Sequence, residues 1–301
     1  MKDVYLLSGF LGSGKTSLLS HMIEQFKVDG IKPAVIMNEL GKLPFDSRAV
    51  DSDVPLKEML EGCICCTGSE KMEAQLQMLL EGEPFDVLLI ETTGAAHPVE
   101  AMDAVFSPLF ASKLNMKGII TVADCKRWLD RDKMTPQTRM LFTEQIRHAH
   151  LIIANKVDLL TESEIATVTM QIQALNNNAS IIQTSNSKIP LKLITQLEAT
   201  FHEKEVHEAA IGKQLSLSSR LHTFKEAVDQ EEFEEWVKGL PDTVYRMKGY
   251  VPLKGHKNPY LFQYAYGMVQ WLPEYMKMPS QIVIIGDQVD KVEIIRGTSN
   301  D

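Results

Sequence analysis

Eight consecutive residues, Gly9-Phe10-Leu11-Gly12-Ser13-Gly14-Lys15-Thr16, carry the most specific chemistry in the chain. They fit G-x-x-x-x-G-K-[ST], the turn whose backbone N–H groups wrap around a phosphate. Val4-Tyr5-Leu6-Leu7 before them is an apolar, β-prone run, and Leu18, Leu19, Met22, Ile23 and Phe26 after them recur on one helical face. The motif therefore lies in a strand-to-helix turn, where the helix N-terminus adds positive potential. Gly12, Ser13, Gly14, Lys15, Thr16 and Ser17 are the expected phosphate ligands. Lys15 reaches the β- and γ-phosphates and Thr16 offers its hydroxyl to Mg²⁺. This much predicts a bound nucleoside triphosphate and leaves open which one, and what its energy is used for.

Two more motifs sit where an α/β sheet binds ligands, at the carboxyl ends of strands. Glu91-Thr92-Thr93-Gly94 follows the apolar run Val87-Leu88-Leu89-Ile90. Glu91 is expected to hold the Mg²⁺ shell and to share the catalytic role with Lys15 and Thr16, and Gly94 to meet the γ-phosphate with its N–H. The competing reading is a solvated carboxylate at a strand end. Asn155-Lys156-Val157-Asp158 follows Leu151-Ile152-Ile153-Ala154 and fits N-K-x-D. An Asp carboxylate accepts both the N1–H and the exocyclic amine of guanine, a donor pair that adenine lacks. Asn155 and Lys156 would brace the loop and the base. The expected ligand is GTP; the plain alternative is a surface turn.

Cys63-Ile64-Cys65-Cys66 places three of the four cysteines within four residues, flanked by Gly62 and Gly68. Thiolates suit Zn²⁺, Cu⁺ or a similar ion. The spacing is too tight for all three to take ideal tetrahedral positions, so two or three of them need a further ligand, from Glu39 or from a second subunit. A redox pair or a set of small buried apolar groups fits the same spacing. Cys125 follows a strand and reads as core.

The elements that must hold these residues alternate. Apolar strands are expected at 4–7, 34–37, 87–90, 119–123, 151–154 and 180–182, with helices after the P-loop, after Gly68, across 99–109, at 139–148 and over Glu162–Leu175. The fold class is α/β: a mostly parallel P-loop sheet with helices on both faces, plus a smaller C-terminal α+β domain. The polar stretch 42–54 reads as a loop. The domains are expected at 1–203 and 220–301, joined by a polar linker at 204–219. The second would have strands at 221–224, 242–252, 260–271 and 281–286 and a helix at 231–239.

Composition narrows the partners. The chain has 301 residues, 44% hydrophobic and 24% charged, with 31 Lys+Arg against 40 Asp+Glu and a formal net charge of −9. An acidic total argues against a nucleic-acid or anionic-membrane partner. No apolar run approaches the roughly 18–20 residues of a membrane span. Four cysteines and no leader-like segment set the expectation of a cytoplasmic location.

Taken together, the P-loop, Asn38-Glu39-Leu40-Gly41, Gly62-Cys63-Ile64-Cys65-Cys66-Thr67, Glu91-Thr92-Thr93-Gly94 and Asn155-Lys156-Val157-Asp158 come in a known order. The sequence resembles the CobW-like branch of the CobW/HypB/UreG GTPases, and Val244-Tyr245-Arg246-Met247-Lys248-Gly249 resembles that branch's C-terminal domain. The resemblance implies a slow GTPase that delivers metal to a client metalloprotein or to an enzyme building a metal cofactor. It places Zn²⁺ or a related ion at Cys63, Cys65 and Cys66. Shared cysteine ligation would suit a homodimer. Two positions depart from the family pattern. Lys42 stands where a second carboxylate often follows Gly41, removing one ligand. His97, in Thr93-Gly94-Ala95-Ala96-His97-Pro98, stands in place of Asp, as a ligand or as a tolerated change. Two other classes compete with the carrier: a metal or redox sensor with a vestigial GTPase, and a P-loop kinase of small molecules.

Overall fold

Val4, Tyr5, Leu6 and Leu7 are all buried, because the strand that carries them has neighbours on both sides and helices above and below. That strand is β1 (Lys2–Ser8) in a computed structural model describing residues 1–37, 56–58, 68–82, 84–98, 102, 105–110, 113–197, 217–265 and 267–295. The chain divides into two units, one of Met1–Val105 with Leu114–Ala199, the other of Phe106–Lys113 with Thr200–Asp301.

In the first unit β1 leads through α1 (Lys15–Val28) to β2 (Pro33–Met37). The short β3 (Leu56–Glu58), α2 (Gly68–Glu81) and β4 (Val87–Glu91) follow. Then come β5 (Leu114–Asp124), α3 (Cys125–Leu129), α4 (Pro136–Arg147), β6 (Leu151–Asn155), α5 (Glu162–Leu175), β7 (Ser180–Gln183) and α6 (Leu191–Thr195). The sheet order is β3-β2-β4-β1-β5-β6-β7, and every pairing is parallel. The order turns back on itself at β1, which puts a crevice outside the carboxyl ends of β1, β4 and β5.

Alternate residues of each strand face opposite layers. Ile120, Val122, Leu151 and Ile153 pack with Leu18, Leu19, Met22 and Phe26 of α1 and with Leu191 and Ile194 of α6. Ala123, Ile152 and Ala154 pack with Trp128 of α3, Phe142 and Ile146 of α4, and Val168 and Ile172 of α5. Both faces are buried, so the strands read as continuous apolar runs rather than alternating ones. The parallel sheet expected from the sequence is present. The expected helix at 139–148 starts earlier, at Pro136, because the Thr135 hydroxyl accepts from Thr138 N and caps it. The helix expected across 99–109 falls largely outside the described residues.

The second unit contains β8 (Leu217–Thr223), α7 (Gln230–Lys238), β9 (Val244–Val251), β10 (Tyr260–Ala265), β11 (Met268–Pro273) and β12 (Gln281–Asp287). Its sheet runs β11-β10-β9-β12-β8, antiparallel throughout. Phe233 and Val237 of α7 pack on Met247, Val251, Phe262, Ile282 and Ile284. The Asp229 carboxylate caps that helix by accepting from Glu231 N and Glu232 N. One reading of the sequence is corrected here. The stretch 260–271, expected as a single strand, is a hairpin in which Ala265 pairs with Met268 and Gly267 has φ +86°. Apolar periodicity continues across a two-residue turn, so it hid the reversal that the Tyr266-Gly267 pair marks. The strand β8 begins at Leu217, inside the stretch read as linker. Among the described residues no helix is long and apolar enough to cross a membrane.

Candidate nucleotide site

The P-loop joins β1 to α1, and its last glycine is the N-cap of that helix. Gly14 has φ +112°, and no side chain caps the helix N-terminus. No side chain takes up the N-terminal end of α1, an arrangement that favours an anion. A Cβ at Gly14 would lie 2.5 Å from both Asn155 Nδ2 and Ser187 Oγ, so the turn admits no side chain there. Lys15 Nζ is buried and folds back on the loop, donating to Gly9 O at 2.9 Å and to Phe10 O at 3.4 Å. Gly12 is exposed at φ +75°, Ser13 is buried, and Ser17 is exposed in the first turn of α1.

Thr16 and Glu91, expected to share Mg²⁺, meet directly. Thr16 Oγ1 donates to Glu91 Oε1 at 2.9 Å, although the two residues come from different elements. Glu91 is the last residue of β4, in register with Leu7 of β1 and Met37 of β2, and only 3% exposed. A hydroxyl and a carboxylate converging beside an uncapped helix N-terminus are oxygen donors of the kind Mg²⁺ takes. Thr92 anchors the next step by donating from its N and its Oγ1 to Leu7 O. Gly94 then passes the P-loop so closely that a Cβ on it would stand 2.4 Å from Leu11 N. The fully buried Gln145 of α4 holds this loop, its Nε2 donating to Gly94 O at 3.2 Å and to Ala96 O at 3.3 Å.

The N-K-x-D residues divide into braces and a free-standing carboxylate. Asn155 Nδ2 donates to Ser13 O at 2.8 Å while its Oδ1 accepts from Ser187 N at 2.9 Å. Lys156, at φ +64°, donates to Gly12 O at 2.7 Å and pairs with Asp124 at 2.6 Å. Asp158 is exposed and lies in the turn Val157–Leu159 directly after them. Both neighbouring motif residues therefore spend their polar groups on the P-loop and on Asp124, while Asp158 stays exposed.

Four further residues help build this site and were missed in the sequence. Asp124 ends β5, caps α3 by accepting from Arg127 N, and holds Lys156. Its signal was available: an acidic residue right after an apolar strand, as at Glu91. Ser187 follows β7, and with Asn186 it forms a pair of consecutive non-glycine residues at positive φ. Its hydroxyl donates to Gly14 O at 3.1 Å, closing a ring of bonds among Gly14, Ser187, Asn155 and Ser13. A Thr-Ser-Asn-Ser run after a strand marks such a turn. Arg127 Nη1 donates to Leu11 O at 2.6 Å, and its guanidinium sits 5.1 Å from the Phe10 ring centroid. Gln145 shares the apolar stripe of Phe142 and Ile146, and nothing in the sequence singles out a polar residue placed there.

The expected transition-metal ligands Glu39, Cys63, Cys65 and Cys66 lie outside the described residues, as does Lys42. Cys125 is described and is buried. Burial, then the charge of Asp124, pushes its thiol up to about 12, which makes it a core residue rather than a thiolate ligand at neutral pH.

Residues 3–183 match the family described as CobW/HypB/UreG, nucleotide-binding domain. The chain belongs to the CobW/HypB/UreG family. Residues 217–299 also match the cobalamin synthesis protein cobW C-terminal domain. Among curated relatives, zinc chaperone YjiA of Escherichia coli is 30% identical over 315 residues, covering 97% of this chain and 96% of that protein. Zinc chaperone YeiR of the same organism is 32% identical over 221 residues, 70% of this chain and 66% of that protein. Zinc-regulated GTPase metalloprotein activator 1 of Dictyostelium discoideum is 31% identical over 226 residues, 64% of this chain. The chain spans about half the length of that last relative, 47%. The crystal structure of Zn(II)-bound YjiA GTPase shares the fold, with a TM-score of 0.53 at 24% identity over 95% of this chain and 94% of that one.

Proposed function

We propose that this protein is a GTPase that carries zinc or a related transition metal, and that GTP binding and hydrolysis control release of the metal to a client protein. The observation that carries the nucleotide half is the Thr16–Glu91 contact at 2.9 Å beside the uncapped start of α1. The α1 amides and Lys15 take the phosphate charge, Lys15 exchanging the Gly9 and Phe10 carbonyls for phosphate oxygens. Thr16 and Glu91 would hold Mg²⁺, which when bound would neutralise phosphate charge. Asp158 accepts from guanine, on a loop stiffened by Asn155 and Lys156. Gly94 offers its N–H to the γ-phosphate and, through its contact with Leu11, relays loss of that phosphate to the loop 92–97. Slow intrinsic turnover, sped by a partner, is the expectation for such a site.

The metal half rests on Cys63, Cys65 and Cys66 with Glu39, and on relatives whose names denote zinc chaperones. The client is a metalloprotein or an enzyme that builds a metal cofactor. Linkage requires the coupling to be reciprocal: if GTP changes zinc affinity by some factor, zinc changes GTP affinity by the same factor. The experiment measures GTP and ATP hydrolysis with and without Zn²⁺, and titrates Zn²⁺ against the protein loaded with a GTP analogue or with GDP. GTP-selective turnover and unequal zinc affinities are expected. Equal affinities, with the cysteine-to-serine protein binding zinc as tightly as wild type, would remove the carrier and leave a plain nucleotide hydrolase.

A further inference from the structure

The loop that follows Glu91 ends in a second constellation, also within the first unit. His97, Glu144 and His148 each turn a ligand atom into one small volume, all three within 4.8 Å of one another. Two of them come from one turn of backbone: His148 Nε2 lies 3.1 Å from Glu144 Oε2, the pair spanning the last turn and C-cap of α4. The third arrives from the loop after β4, with the His97 ring centroid 5.6 Å from that of His148. His148 is buried, while His97 and Glu144 are half-buried, so the cluster is walled on one side and reachable from the other.

An ordinary i,i+4 pair accounts for Glu144 and His148. It does not account for the use made of the other carboxylate oxygen. Arg147 donates to Glu144 Oε1, which fixes the carboxylate and leaves Oε2 turned to the imidazole. That is how an outer partner orients a metal-binding carboxylate. We propose that His97, Glu144 and His148 form a site for a divalent transition metal, Zn²⁺ above all, separate from the cysteine run and with its fourth position open to water. Two imidazoles and one carboxylate are a donor set that suits zinc.

The geometry also gives the site a consequence. Tetrahedral zinc with bonds of about 2.1 Å sets its ligands about 3.4 Å apart, so an ion held by all three side chains fixes His97 against α4. Gln145 on the same helix already holds Gly94 O and Ala96 O, and Gly94 abuts Leu11 of the P-loop. An ion on this triad therefore latches the loop 92–97 in one position and ties it to nucleotide state.

The experiment uses the full chain with Cys63→Ser, Cys65→Ser and Cys66→Ser together. Zn²⁺ is titrated against a chromophoric chelator, and Co²⁺ serves as a spectroscopic substitute. One equivalent of zinc is expected to remain, with a cobalt spectrum showing visible ligand-field bands and no thiolate-to-metal charge transfer. Adding His97→Ala, or the nearly isosteric Glu144→Gln, should weaken that equivalent about tenfold or more, with circular dichroism unchanged. Zinc retained with undiminished affinity in both variants, or no zinc held by the serine protein, overturns the site. Equal zinc affinity of the serine protein with a GTP analogue and with GDP overturns the latch. Failure of the cysteine reading shows instead as wild type and serine protein binding alike.

Discussion

The two sheets bury the same kinds of apolar side chain and differ in what they set at their strand ends. In the first unit Ser8, Glu91, Asp124, Asn155 and Thr184 end or follow β1, β4, β5, β6 and β7, and all five are buried. Among the described residues of the second unit the buried polar side chains are Ser107, His222 and Asp287, and only Asp287 ends a strand. Strand direction explains the contrast. Parallel strands deliver every carboxyl end to one edge, so each strand-to-helix turn adds a polar residue to the same crevice. Antiparallel strands deliver alternate ends to opposite edges, and hairpins such as that at Gly267 dispose of them singly. The second sheet gains instead an aromatic cluster, with Phe233 4.9 Å from Phe262 and 5.4 Å from Trp271, centroid to centroid. One unit concentrates polar groups at one edge of its sheet, and the other concentrates dispersion and burial.

The sharpest way to break that division is to remove chemistry from the first unit without touching its core. Lys15→Ala and Glu91→Gln should each lower kcat for GTP by about 10³-fold, roughly 4 kcal/mol of transition-state stabilisation. Neither side chain belongs to an apolar cluster, so the melting temperature should hold. Steady-state GTP turnover and differential scanning calorimetry on the same samples check both halves. A variant that keeps its turnover would mean the Thr16–Glu91 pair is a structural tie only.

The reverse experiment removes packing from the second unit. Phe233 is fully buried and touches Phe224, Trp236, Phe262 and Trp271. Phe233→Ala should destabilise that unit by about 3–5 kcal/mol, transfer and cavity terms together. GTP affinity, measured with a fluorescent analogue, should stay within about twofold, since every residue named at the nucleotide site belongs to the first unit. A parallel loss of nucleotide affinity would show that the division of labour is not real.

These two experiments probe what the sequence made plain and what it concealed. The parallel sheet was readable because Val87-Leu88-Leu89-Ile90 and Leu151-Ile152-Ile153-Ala154 are apolar on both faces, and each is followed at once by a polar motif. The motif residues Lys15, Thr16, Glu91, Asn155 and Lys156 announced themselves through spacing. Gln145 did not, because a lone polar residue on an apolar helix stripe has no pattern of its own. Ser187 and Asp124 act through contacts with residues far away in sequence, which only the folded sheet brings near. In the second unit, periodicity ran unbroken through 260–271 and masked a hairpin. Pattern reports what repeats along the chain, and these residues matter through what they meet across it.

A finer test concerns the base. Asp158 is exposed while its motif neighbours are engaged with the P-loop. Asp158→Asn replaces an acceptor by a group that can mismatch both guanine donors. The loss of hydrogen bonds to a charged acceptor is worth about 1.5–3 kcal/mol, so GTP affinity should fall by about 10–100-fold. ATP affinity should not fall, and GTP-over-ATP preference should shrink by the same factor. Competition binding with both nucleotides reads this directly, and an unchanged preference would transfer base recognition to another residue.

The smallest effect belongs to the second unit and to pH. His222, on β8 opposite Ile282, is buried, and its ring centroid lies 4.9 Å from that of Phe224. Burial, then the neighbouring Arg220, holds its pKa below the ordinary histidine value. The unfolded chain, with an ordinary histidine pKa of about 6.5, therefore takes up the proton first as pH falls. Stability is fully present above that value and declines as pH drops from it toward the folded pKa. Urea unfolding followed through Trp236 and Trp271, in a Trp128→Phe background, should show a midpoint that falls between pH 7 and pH 5. With His222→Gln that part of the decline should vanish, while the acid loss due to carboxylates persists at lower pH. An identical pH profile in the two proteins would mean that the ring is protonated in place, stabilised by water or by a neighbour, and that the second unit tolerates buried charge as readily as the first.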